Sequence, residues 1–249
     1  MQRQYREFRD KLAEGTILLF RLGDFYEVFG HDAEVAAKVL GLTLTKRHET
    51  PMAGLPHHAA PAYVNRLLAA GWKVAICDQL EAPVAGKLVR RGLTRILTPG
   101  TALEDSQLDS RRGNYLAALC WDKQGWHAAW LDVSTADFRL ASDSSPSRLL
   151  PLLHSVSPRE IILPEGLEPS AADREALEVF LQGRAVSRLP GWNFDGAAGA
   201  RLVAQTLSVH GLAGFGLTDE HPALGVAGAV LGYVTDSLCD RPKNLFRLI

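Results

Sequence analysis

The stretch that most limits what this chain can fold into is Thr16-Ile17-Leu18-Leu19-Phe20-Arg21-Leu22-Gly23-Asp24-Phe25-Tyr26-Glu27-Val28-Phe29. Residues 16–22 are apolar and partly β-branched, and Gly23-Asp24 is a turn signal, so the run predicts a buried strand that ends in a turn. Phe25, Tyr26 and Phe29 follow that stop. Three aromatics within five residues, interrupted by Glu27, do not all fit into one core, and at least one is expected to face outward. An outward Phe two residues from a carboxylate suits the reading of DNA. The ring can wedge between base steps while the carboxylate accepts a hydrogen bond from the displaced base. Taken alone, the pentapeptide fits a plain core Phe more readily.

The flanking pattern builds an α/β layer around this strand. Tyr5, Phe8 and Leu12 are spaced for an amphipathic helix over residues 2–13. His31 to Leu40 predicts a second helix stopped by Gly41, so the Phe25 turn is expected between a strand and a helix. Residues 42–45 predict a strand running into Lys46, Arg47 and His48, which are placed either to reach phosphates or to sit in a solvated turn. Pro51 to Pro56 holds too much proline for a central strand and predicts an ordered connection beside the sheet. His57-His58 has no third ligand at metal-binding spacing, so helix entry or phosphate donation is the better reading. A helix over 59–70 stopped by Gly71, a strand over 72–80, and a strand carrying Arg90, Arg91 and Arg95 up to Thr98-Pro99-Gly100 complete this half.

Residues 101–113 are polar and lack periodicity, which marks a domain boundary. Beyond it come strands at 114–122, 126–133 and 136–141, a helix at 147–156, a strand at 159–163, a helix at 171–182, a strand at 184–188, and helices at 196–209 and 222–238. A three-strand meander followed by alternating α and β elements is the order of a ribonuclease-H-like fold. The 249 residues allow two such domains. The formal charge of −1 does not advertise nucleic acid, but its distribution is uneven. Residues 1–112 hold 16 Lys/Arg against 13 Asp/Glu, and the remainder holds 11 against 15, so the basic excess lies with Phe25. Cys77, Cys120 and Cys239 are far apart without metal-ligand spacing, which suggests a reducing compartment. With no signal-like start and no apolar run of membrane-spanning length, a cytoplasmic location without membrane contact is expected.

Five blocks carry a family resemblance: Gly23-Asp24-Phe25-Tyr26-Glu27, Leu44-Thr45-Lys46-Arg47, Pro51-Met52-Ala53-Gly54-Leu55-Pro56-His57-His58-Ala59, Val74-Ala75-Ile76-Cys77-Asp78-Gln79 and Arg95-Ile96-Leu97-Thr98-Pro99-Gly100-Thr101. In this order they resemble the MutS family of DNA mismatch-repair proteins. The resemblance implies two α/β domains: a mixed-sheet mismatch-recognition domain over 1–108 and a ribonuclease-H-like connector over 113–240, with 241–249 starting a further domain not supplied. It implies mismatch recognition in post-replicative repair, with Phe25 wedging at the mispair and Glu27 bonding the displaced base. Lys46, Arg47, Met52, Gly54, Pro56 and His57 become DNA-backbone contacts. The implied partners are mismatched double-stranded DNA, a MutL-type protein through the connector, and a second copy in a full-length homodimer. ATP and magnesium belong to the full-length family. Ala85-Gly86-Lys87-Leu88 is not a phosphate loop, so the chain itself is expected to hold no cofactor and not to be an enzyme. Two departures are visible: a short connection between Arg47 and Pro51, and His57-His58 where the family commonly has Pro-Tyr-His. The first rival is a ribonuclease-H-like nuclease using Asp132, although Asp122, Asp137 and Glu160 are not spaced to compel a two-metal site. The second is a pure protein-interaction module.

Overall fold

The structure, a computed structural model, describes residues 2–81, 89–101 and 113–238. The greater part of the expected boundary at 101–113 lies outside the described residues, as do Ala85-Gly86-Lys87-Leu88, Cys239 and the stretch 241–249. The described residues fall into two compact units, one built on residues up to Pro99 and the other on Gly100, Thr101 and residues 113–236.

The first unit contains α1 (Gln2–Arg9), β1 (Thr16–Leu22), β2 (Phe25–Phe29), α2 (His31–Leu40), β3 (Thr45–Arg47), β4 (Thr50–Pro56), α3 (Ala60–Ala69), β5 (Lys73–Gln79) and β6 (Arg91–Leu97). Its six strands form one mixed sheet in the order β3-β4-β2-β1-β5-β6, with β1 and β5 parallel and the other pairs antiparallel. Alternation assigns the faces. Leu18, Phe20, Phe29, Ala75 and Cys77 share a core with Tyr5, and Phe8 in the last turn of α1 packs against it. The Tyr5 ring meets Phe20 and Phe29 edge-on at 5.6 and 4.9 Å. The alternate residues Ile17, Leu19, Val28, Ala53, Leu55 and Val74 are buried on the opposite face, where α2 and α3 pack.

Three expectations need correction. Phe25 does not sit in a turn between a strand and a helix; it opens β2. Leu22 pairs with Phe25, so Gly23-Asp24 is a two-residue hairpin turn, and Gly23 at φ 60° supplies the left-handed first position that such a turn needs. The strand expected at 42–45 is β3, shifted to Thr45–Arg47, and it turns back through His48 and Glu49, both at positive φ (47° and 65°), the signature of a type I′ hairpin built without glycine. Pro51 to Pro56 is not a connection but part of β4, with strands on both sides. Its prolines are tolerated because they sit at the ends of the β2 ladder: Pro51 lies past the last pair, Phe29 with Met52, and Pro56 closes the other end opposite Phe25.

The second unit contains β7 (Tyr115–Asp122), β8 (Gly125–Asp132), β9 (Asp137–Asp143), α4 (Pro146–Val156), β10 (Glu160–Pro164), α5 (Ala171–Leu181), β11 (Ala185–Leu189), α6 (Gly196–Thr206) and α7 (Leu224–Leu238). The sheet order is β11-β10-β7-β8-β9, an antiparallel meander flanked by two strands parallel to β7, as expected of a ribonuclease-H-like fold. Trp126, Ala128 and Trp130 of β8 form a core with Leu149, Leu153, Leu177 and Phe180 of α4 and α5. Helices α6 and α7 approach backbone to backbone: a Cβ at Gly199 would lie 2.0 Å from the Leu224 carbonyl oxygen, and one at Gly228 would lie 2.5 Å from Gly199 Cα. Among the described residues, no helix is long and apolar enough to cross a membrane.

Candidate nucleic-acid interface

Alternation along β2 sorts the aromatics. Tyr26 and Val28 point toward α2 and α3, whereas Phe25, Glu27 and Phe29 share the face that α1 covers. Coverage by α1 fades along the strand. Phe29 is buried under Tyr5, Glu27 is half-buried, and Phe25 is 51% exposed. Tyr26 is anchored inward, its hydroxyl donating to Asp78 Oδ1 at 2.6 Å. Burial first and the Asp78 hydrogen bond second push its phenol up to about 12.

Strand register extends this face across β4 and β3. Thr45 pairs with Met52 and Met52 with Phe29, so Arg47, two residues beyond Thr45, stands on the same side as Glu27. The two meet across β4, with Arg47 Nη1 donating to Glu27 Oε2 at 2.7 Å. Lys46 points to the opposite face, its Nζ 3.8 Å from Glu49. The neighbouring cations therefore do not act as a pair. Gly54, opposite Glu27, is exposed, and a Cβ placed there would meet only the Tyr26 carbonyl oxygen at 3.8 Å. Nothing in the fold requires glycine at this position, and a strand-interior glycine with open space above it suits close approach by something from outside. Pro56 is half-buried opposite Phe25. Met52 belongs to this face but packs against the α1-side core. In the 3-10 turn His57–Ala59, the His57 backbone N–H donates to the Asp24 carbonyl at 2.9 Å, and its Nδ1 lies 3.3 Å from the same oxygen. His57 thus braces the turn beneath Phe25.

The structure therefore brings Phe25, Glu27, Arg47, Gly54 and Pro56 together, sends Lys46 to the other side, and gives Met52 and His57 supporting positions. Sequence reasoning did not foresee the Arg47–Glu27 pair, because its signal is the two-residue turn at 48–49 that sets β3 against β4. Nor did it group Arg6, His31 and His48, which line a cavity of about 350 Å³ beside the start of α2. Arg9 lines the same cavity, but its Nε lies 3.1 Å from Asp32 Oδ2 and its charge is spent there.

The carboxylates of the second unit are engaged differently. Glu160, fully buried, accepts from Ser187 Oγ and the Tyr233 hydroxyl, both at 2.6 Å, and from the Gly100 N–H at 3.1 Å. Asp132 accepts from the Asn114 N–H and from the N–H and hydroxyl of Ser134. Asp137 accepts from the Tyr115 hydroxyl and Arg139 Nε, and Asp122 from the Gln124 N–H with His127 Nε2 at 3.0 Å. Among the described residues, no three His, Cys, Asp or Glu side chains converge as metal ligands would.

Comparison with known proteins covers nearly the whole chain. The family model described as MutS domain I matches residues 1–106, and that of MutS domain II matches residues 114–245. The chain is 39% identical over 100% of its length to a protein of Myxococcus xanthus named DNA mismatch repair protein MutS. It is 41% identical over 94% of its length to a protein of the same name from Symbiobacterium thermophilum. It spans 28% and 27% of the lengths of these two relatives.

Proposed function

This chain belongs to the MutS family, its two units matching that family's first two domains, and on that premise we propose that its first unit recognises mismatched base pairs in duplex DNA for mismatch repair. One observation carries the reading: Phe25 stands half-exposed at the uncovered end of an otherwise packed sheet face, with Glu27 beside it. A ring inserted between base steps must offset a few kcal/mol of unstacking, so it enters where stacking is already weak, at a mispair or an unpaired base. Glu27 supplies an acceptor for the displaced base. The open floor at Gly54 lets the edge of the duplex come close. The second unit serves as a connector to a MutL-type partner. ATP and magnesium chemistry and homodimerisation belong to parts of the family outside these two domains. The nuclease alternative is not favoured, because among the described residues no three His, Cys, Asp or Glu side chains converge to hold the metals such a reaction needs.

The test compares labelled duplexes, one fully paired and one with a single G·T mispair, by fluorescence anisotropy at low salt. Phe25→Ala is expected to erase the preference for the mispair while sparing weak, salt-sensitive binding to both duplexes, which phosphate contacts carry. A Phe25→Ala protein that still prefers the mispair would overturn the proposal.

A further inference from the structure

Building on that reading, we infer that Arg47 is the positioning residue of the mismatch site: it holds the Glu27 carboxylate in place and cancels its charge toward DNA, instead of serving as an independent phosphate contact. The inference starts from an electrostatic problem. Duplex DNA carries about one negative charge per 1.7 Å of axis, so an uncompensated carboxylate beside Phe25 would oppose the approach of any duplex. The structure supplies the compensation locally. Arg47 lies at 2.7 Å from Glu27, with side chains 41% and 19% exposed, so the pair is partly desolvated on the protein side and open on the side where a ligand would come.

The geometry is specific to Arg47. Glu27 and Arg47 belong to strands that are not neighbours, and Arg47 must span β4 to close the contact. It does so on the face where Gly54 contributes no side chain. Lys46, one residue earlier, faces the other way and lies against Glu49, so it cannot substitute. The recorded contact joins one guanidinium nitrogen to one carboxylate oxygen. A guanidinium has five donors in a rigid fork, so Arg47 can fix the carboxylate and still present N–H groups outward. A lysine would keep the charge without the fork.

The experiment is a double-mutant cycle: wild type, Arg47→Ala, Glu27→Ala and the double variant, each titrated with the paired and the G·T duplex. Arg47→Ala alone should weaken binding to the paired duplex by about tenfold, because it bares the carboxylate, whereas in the Glu27→Ala background the same change should cost less than about twofold. Arg47→Lys should restore affinity for the paired duplex but narrow the discrimination. An equal loss in both backgrounds would mean that Arg47 contacts phosphate independently and would overturn the inference. A wild type with no mismatch preference would instead overturn the function proposed above, and the inference with it. A second readout needs no DNA. In nitrogen-15 spectra of the free chain, the guanidinium protons of Arg47 should be protected from exchange in wild type and lose that protection in Glu27→Ala. No difference between the two would count against the pair itself.

Discussion

Glu27 and Glu160 are both glutamates on sheets of mixed α/β units, and their surroundings are opposite. Glu160 is enclosed and takes hydrogen bonds from three separate parts of its unit: Gly100, Ser187 on β11 and Tyr233 on α7. Glu27 lies at the end of a sheet face where α1 no longer reaches, with Arg47 as its recorded partner. A carboxylate whose oxygens are occupied by its own fold is a staple. One held on a single side, next to an exposed aromatic and an open glycine, keeps capacity for an outside donor. The same contrast separates the aromatics: Phe20 and Phe25 are five residues apart on paired strands and on the same face, yet only Phe25 lies beyond the cover of the core.

The largest effect that can break this contrast is in the first sheet. Phe20→Ala should lower the free energy of unfolding by about 3 to 5 kcal/mol, since it empties a fully enclosed site. Phe25→Ala should change it by less than about 0.5 kcal/mol, as surface substitutions do. Comparable losses in urea titrations of the two variants would mean that Phe25 is core. Next in size comes the pair of glutamates. Glu160→Ala leaves buried donors without an acceptor and should cost about 3 kcal/mol, whereas Glu27→Ala should stay within about 1 kcal/mol because its ion pair is partly exposed. A Glu160→Ala protein as stable as wild type would remove the distinction between staple and reader. The smallest effect sharpens the picture of the open floor. Gly54→Ala meets only one atom at ordinary contact distance, so stability should hold or rise by a few tenths of a kcal/mol, about what removing a strand glycine gives. Affinity for both duplexes should nonetheless fall, which anisotropy would detect. Unchanged binding would show that nothing approaches Gly54.

The local elements were legible because their signals are local. The run at 16–22, the helix at His31–Leu40 closed by Gly41 at φ 69°, and the meander with its two hairpin separators follow from spacing and from turn chemistry within a few residues. Sequence reasoning failed where tertiary context overrides a local rule. Proline content argued against a strand at Pro51–Pro56, but β4 places its prolines where the β2 ladder ends. Glycine marks most type I′ turns, and His48-Glu49 adopts the positive φ values without it, so the local signal places β3 a few residues too early. The contact of α6 with α7 through Gly199 and Gly228 leaves no trace in hydrophobic periodicity.

What the sequence determined by itself is the set of parts: a strand, a Gly-Asp stop, three aromatics that could not share one core, and the five blocks that resemble the MutS family. The tertiary structure alone decided which parts face each other. Glu27 and Arg47 are 20 residues apart in the chain and two strands apart in the sheet, and they meet because the long-range pairing of β2 with β4 and the hairpin turn between β3 and β4 fix their registers. Lys46 is excluded by the same register, since a shift of one residue moves a side chain to the other face of a sheet. Which part of that face is covered depends on how α1 packs across it, Tyr5 against Phe20 and Phe29, which no spacing within 25–29 encodes.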